Sequence, residues 1–118
     1  MFGFPKSKNV LGVPKFRDLI VQFEHTLCEA QKERKAVYGQ GVVTVPDLYD
    51  PTKETTMLQW NIFELHTMEI AVNEIREKRN RPKITFADIR KIETKAIGHS
   101  DYTHKLALYC ADLALETL

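Results

Sequence analysis

The sequence predicts an all-α protein, a single four-helix bundle-like domain with an irregular N-terminal arm and one long connector. Apolar residues recur at helical spacing in four segments, and proline and glycine separate those segments. A chain of 118 residues buries enough surface for one core but not for two. We expect the arm over residues 1–13, the helical domain over 14–118, and helices over 14–37, 51–80, 86–97 and 101–117.

The first helix is expected to begin at Pro14, because the missing N–H of proline costs nothing in the first turn. Its apolar residues alternate spacings of four and three, so they form one core-facing stripe: Phe16, Ile20, Phe23, Leu27 and Ala30. The arm before this helix has no such period but contains Phe2 and Phe4. We expect these side chains to cover the domain or to bind a neighbour.

The second helix is expected to begin at Asp50 and Pro51, an N-cap carboxylate followed by proline at the first helical position. A continuous helix over 51–80 would be about 45 Å long, whereas a compact domain of this size is about 35 Å across. The helix therefore overhangs, kinks or is covered by a second protomer. This mismatch is the main reason to expect an elongated, dimeric protein.

The connector between these helices contains Val42–Val45, which has the composition of a strand. The sequence shows no second strand to pair with it. We interpret the segment as an extended connector lying over the helices, or as a strand that pairs with its own copy in an oligomer.

The last two helices have local start and stop signals. Thr85 and Asp88 have the spacing of a capping box, and Gly98 suits the position that ends a helix. The final helix is apolar most of the way round from Leu106 to Leu115. Such a helix is expected to be buried on two sides, against its own domain and against a partner.

The composition limits the classes of function. A formal net charge of +1 gives no general attraction to nucleic acid or to an anionic membrane. No apolar run approaches the roughly 20 residues that span a bilayer, and the first residues lack the order of a secretory signal. Cys28 and Cys110 are expected to be free thiols in small core positions, which indicates a reducing, cytoplasmic location.

No catalytic motif stands out, so we expect a non-enzymatic protein-protein interaction module, accessory or regulatory, that acts as a homo-oligomer and binds a further protein. Aromatic and aliphatic side chains outside the core stripes are the natural anchors of such contacts. The candidate interface residues are Phe2, Phe4, Trp60, Phe63, Leu108, Tyr109 and Leu115.

An alternative hypothesis is a nucleic-acid or nucleotide-phosphate binding protein that uses the basic segment 76–95. Its candidate phosphate ligands are Arg76, Lys78, Arg79, Arg81 and Lys83. If the first two helices ran parallel, Lys32, Arg34 and Lys35 would join this basic end.

A second alternative is a metal-binding bundle enzyme. Asp101 and His104 are spaced i, i+3, as are His66 and Glu69, and such pairs on facing helices can hold metal. Two pairs are a sparse ligand set, so we predict no cofactor and keep metal as the third hypothesis.

Overall fold

The structure, a computed structural model, describes residues 14–37 and 41–116, with the side chains of 34–37 left out. The predicted arm, including Phe2 and Phe4, lies outside these residues. The predicted all-α class holds in part: the described residues are mostly helical and form four helices, but they also form a two-stranded sheet. The elements are α1 (Phe16–Val37), β1 (Val42–Pro46), β2 (Glu54–Leu58), α2 (Gln59–Lys78), α3 (Phe86–Ala96) and α4 (Tyr102–Ala114).

Strand β1 has a partner that the sequence analysis did not find. It pairs antiparallel with β2 of the same chain, so that Val43 lies opposite Met57. The hairpin turn is held by Asp47, whose carboxylate accepts hydrogen bonds from the backbone N–H groups of Tyr49 and Asp50, both at 3.0 Å. Aspartate turns of this kind compete with helix capping for the same residues.

The predicted helix over 51–80 is therefore wrong in its first eight residues. The Asp50 carboxylate accepts hydrogen bonds from the N–H and hydroxyl of Thr52, at 3.2 and 2.6 Å, and closes a turn instead of capping a helix. Helix α2 has 20 residues, which corresponds to about 30 Å. A helix of that length fits within one domain, so helix length no longer argues for a second protomer.

Helices α1 and α2 run antiparallel. Late in α1, the Gln31 amide donates to the carboxylate of Glu64, early in α2, at 2.8 Å. Phe23, nearer the start of α1, shares a groove with Ile75, near the end of α2. The parallel arrangement considered for these two helices is therefore wrong, and Lys32 lies at the opposite end of the helix pair from Lys78.

The core stripe of α1 is rotated relative to the prediction. Phe16 is 42% exposed, whereas Leu19 is fully buried and was not in the predicted stripe. On α4 the buried face is rich in small residues, which lets the neighbouring helices approach closely. The main core cluster consists of Leu19, Phe23, Leu27, Leu65, Met68, Val72, Ile75, Ile84, Ile89, Ala96, Leu106, Ala107, Cys110, Ala111 and Ala114.

The helix ends follow local signals. The capping box is confirmed: the Asp88 N–H donates to the Thr85 hydroxyl at 3.3 Å, and the Thr85 N–H donates to the Asp88 carboxylate at 2.8 Å. Gly98 adopts a φ of +93°, as its predicted role after α3 requires. Asn80 takes the same left-handed role after α2, with a φ of 61°.

Arg76 joins three elements at one end of the molecule. Its side chain is 8% exposed, and its Nε donates to the carbonyl of Pro82 at 2.7 Å. Its Nη1 donates to the carbonyl of Leu113 in α4 at 2.7 Å and lies 3.4 Å from the Glu116 carboxylate. The guanidinium thus satisfies carbonyls at a helix end and in a loop that need partners.

Replacing Arg76 with alanine is expected to lower the free energy of unfolding by about 2–4 kcal/mol, because buried carbonyls lose their charged donor. The exposed neighbour Lys78 is the matched control, and Lys78→Ala is expected to change it by less than about 0.5 kcal/mol. Urea unfolding followed by circular dichroism measures both. Equal effects of the two substitutions would contradict this role of Arg76.

Candidate interaction surface

A groove of about 540 Å³ lies between α1 and α2 and is lined by apolar and polar residues of both helices. Phe23 and Ile75, both core residues, contribute to its lining, and Ala71 leaves space between the helices. Ile70 also lines it and is 52% exposed. We call this feature the α1/α2 groove.

Two threonines on the walls of the α1/α2 groove satisfy their hydroxyl groups within their own helices. Thr26 donates to the carbonyl of Gln22 at 3.0 Å, and Thr67 donates to the carbonyl of Phe63 at 2.8 Å. These hydroxyls therefore need no partner in the groove. An apolar occupant would bury them without leaving an unpaired donor.

Carboxylates surround Ile70. Glu74 and Glu77 line the α1/α2 groove, together with Lys78 at its end. On the other side of Ile70 a second groove, about 290 Å³, is lined by the same two glutamates and by Glu69, with Lys83 and His66 also in its wall. The surface is thus an apolar centre with an acidic rim.

The predicted interface residues that the structure describes do not form one surface, and Phe2 and Phe4 lie outside the described residues. Trp60 and Phe63 are partly buried in the first turns of α2 and have contacts of their own. Tyr109 and Leu115 pack against the core and line a different groove, between α3 and α4. Leu108, on α4, is partly buried.

Sequence reasoning missed Ile70 as an exposed residue. Ile70 flanks the buried stripe of α2. The signal in the sequence was that the apolar arc of this helix is wider than one neighbouring helix would cover. Which flank of a wide arc stays exposed depends on where the neighbouring helices lie, and periodicity does not give that.

The basic segment is partly committed to internal contacts. Besides Arg76, Arg79 donates to the Glu116 carbonyl beyond the end of α4, at 3.2 Å. Arg90 donates to the carbonyl of Pro46 at 2.9 Å and so fastens the hairpin to α3. Lys78 and Lys83 are exposed, Arg81 is partly buried, and antiparallel α1 brings Lys15 and Arg17 to this end.

The predicted metal ligands do not share a site. His66 Nδ1 lies 3.0 Å from the Glu69 carboxylate, in the groove beside Ile70. His104 Nδ1 lies 2.8 Å from the Glu24 carboxylate, in a separate groove that also includes Asp101. Within 14–37 and 41–116 no group of three or more His, Cys, Asp or Glu side chains is placed to hold a metal ion.

The two cysteines differ. Cys110 is buried in the core, as predicted, and burial raises the pKa of its thiol to about 12, so it is a poor nucleophile. Cys28 is exposed, which contradicts the prediction of a core position, because it lies outside the buried stripe of α1. Both are free thiols.

Two buried carboxylates lie on helix faces that pack inward. Glu64 is fully buried and accepts from Gln31, whose amide also donates to Thr103 at 3.1 Å. Glu93 accepts from the hydroxyl of Tyr102 at 2.9 Å. Both glutamates occupy positions on the apolar stripe of their helix, and the sequence could have indicated their burial in this way.

Burial raises the pKa of Glu93, against the opposing effects of hydrogen bonds from Tyr102 and Asn61 and the nearby charge of Arg90. The cost of desolvating the charged carboxylate is thus larger than the stabilisation that these neighbours give it.

The described helices include none that is both long and apolar enough to cross a membrane. Comparisons with protein-family models, curated proteins and solved structures found no match.

The raised pKa of Glu93 predicts a pH-dependent effect of Glu93→Gln. The fold favours the protonated form, so this contribution to stability is complete below the ordinary value of 4.5 and is lost as pH rises through the folded pKa. The neutral glutamine keeps an acceptor for Tyr102. It is expected to raise the melting temperature at pH 8, by an amount that shrinks towards pH 4.5.

Thermal unfolding followed by circular dichroism across this pH range measures the effect. Exposed Glu33, which does not line the α1/α2 groove, provides the control, and Glu33→Gln is expected to change the melting temperature little at any pH. A Glu93→Gln effect that is independent of pH would contradict the assignment.

Proposed function

We propose that the protein is a non-enzymatic interaction module, a four-helix bundle-like domain that self-associates through the α1/α2 groove and then binds a further protein. The observation that carries the proposal is Ile70, half exposed beside an apolar groove. Apolar grooves between helices are a common way to bind a helix or an extended segment.

The energetics of the groove favour protein association as its role. Covering a fully exposed isoleucine contributes about 1.5–3 kcal/mol, and Ile70 has about half of that surface left to bury. In a two-fold dimer each copy contributes the same groove, so each such contribution occurs twice. The free thiols fit the reducing cytoplasm, which we include in the proposal.

Ile70→Glu is expected to shift the protein from dimer to monomer, because it places another carboxylate in the apolar centre of the interface. Ile97→Glu is the matched control: Ile97 is 60% exposed and lies in the turn after α3, so its substitution is expected to leave the dimer unchanged. Size-exclusion chromatography with light scattering measures both masses. Equal masses for the two variants would contradict the use of this face.

A second candidate function is phosphate binding at the basic end. The observation that favours it is the antiparallel course of α1, which adds Lys15 and Arg17 to Lys78, Arg81 and Lys83. Clustered basic side chains bind nucleic acid mainly by releasing counterions. Arg76 and Arg79 contribute less, since their guanidinium groups bind the end of α4.

Under this second candidate, Lys78→Glu with Lys83→Glu is expected to abolish binding to a DNA duplex. Binding by the unmodified protein should weaken steeply with salt, by about 0.9 in logarithmic slope for each phosphate contact. Lys32→Glu with Lys53→Glu changes the net charge equally at exposed positions elsewhere and is the control. Fluorescence anisotropy measures the affinities. Equal losses in both double variants, or binding that does not respond to salt, would remove this candidate.

A further inference from the structure

The acidic rim of the α1/α2 groove makes direct contact between two copies unfavourable. In a two-fold dimer centred on Ile70, Glu74 and Glu77 of each copy would approach the same carboxylates of the other. Like charges brought together across an interface oppose association. A dimer through this face is therefore favoured by cations at the rim in addition to Lys78 and Lys83.

The exposed apolar surface of α2 is also small. Ile70 is the large apolar residue of this helix that is more than half exposed. Stable interfaces bury about 1,200–2,000 Å² in total. The helix faces alone are a poor source of that area, so a further apolar segment is required.

Residues 1–13 contain both cationic side chains and large apolar side chains. They contain Phe2 and Phe4, then Lys6 and Lys8, and no aspartate or glutamate. Each phenylalanine can bury about 150–250 Å², so the four in two copies supply a large part of the missing area. The lysines add cations to a rim at which three glutamates outnumber Lys78 and Lys83.

The length of this segment allows it to reach a groove. Phe4 precedes Pro14 by ten residues, which span at most about 33–36 Å when extended. Gln22, on the wall of the groove, lies only about 12 Å along α1 from Pro14. The extended segment is therefore longer than the path to the groove of its own copy, which leaves length for it to enter the groove of an adjacent copy.

We propose that residues 1–13 of one copy occupy the α1/α2 groove of a second copy, reciprocally. Phe2 and Phe4 contact Ile70 and the groove floor, and Lys6 and Lys8 pair with Glu74 and Glu77. This inference rests on the proposed self-association and names the segment responsible for it.

A charge exchange between two full-length variants tests the proposal. One copy carries Lys6→Glu with Lys8→Glu, and the other carries Glu74→Lys with Glu77→Lys. Each variant alone places like charges at the rim and is expected to dimerise at least about tenfold more weakly than the unmodified protein. Mixed together, they restore both opposite-charge contacts and are expected to form a heterodimer, measured by native mass spectrometry.

The phenylalanines are tested separately by Phe2→Ala with Phe4→Ala, which is expected to weaken dimerisation at least about tenfold. Variants that dimerise like the unmodified protein would overturn the proposal and leave self-association intact. Failure of the mixture to pair also overturns it, as expected if the segment occupies its own groove. An unmodified protein that stays monomeric overturns both this proposal and the proposed function.

Discussion

The buried stripe of α2, through Leu65, Met68 and Val72, packs against the stripe of α1 that includes Phe23 and Leu27. Burying each of these side chains contributes about 1.5–3 kcal/mol, so this antiparallel pairing is a large part of the core. Its direction decides what lies at each end of the molecule. The polar contact between Gln31 and Glu64 forms at one end, and the basic side chains gather at the other. The α1/α2 groove is the flank that this pairing leaves uncovered.

Much of the helical architecture can be predicted because its signals are local. The Thr85–Asp88 capping box and the Gly98 stop depend on a few adjacent residues, and the structure has both. The hairpin could not be predicted in the same way. Asp50 and Pro51 are equally suited to begin a helix or to form a turn. The choice depends on the pairing of β2 with β1 and on the packing of Met57 against the core, which involve residues distant in sequence.

The candidate site is less predictable than the fold, for a related reason. Periodicity identifies the face of a helix but not the neighbour that covers it. Ile70 belongs to the apolar arc of α2 and yet is half exposed, because α1 does not close the groove that Ile70 lines. Arg76 belongs to a basic run and yet is buried, because the end of α4 supplies carbonyl partners. The described interface residues that the sequence suggested lie on different surfaces for the same reason, since the size and hydropathy of a side chain do not say which other side chains lie beside it.

The central claim is that this protein acts by association, and the mass of the unmodified chain tests it most directly. Native mass spectrometry of the purified protein over a range of concentrations reports copy number and any bound metal or nucleotide together. The account predicts a dimer whose mass is twice that of the chain, with no added mass. A monomer at every concentration, or a stoichiometric adduct of metal or nucleotide on a monomer, would contradict it.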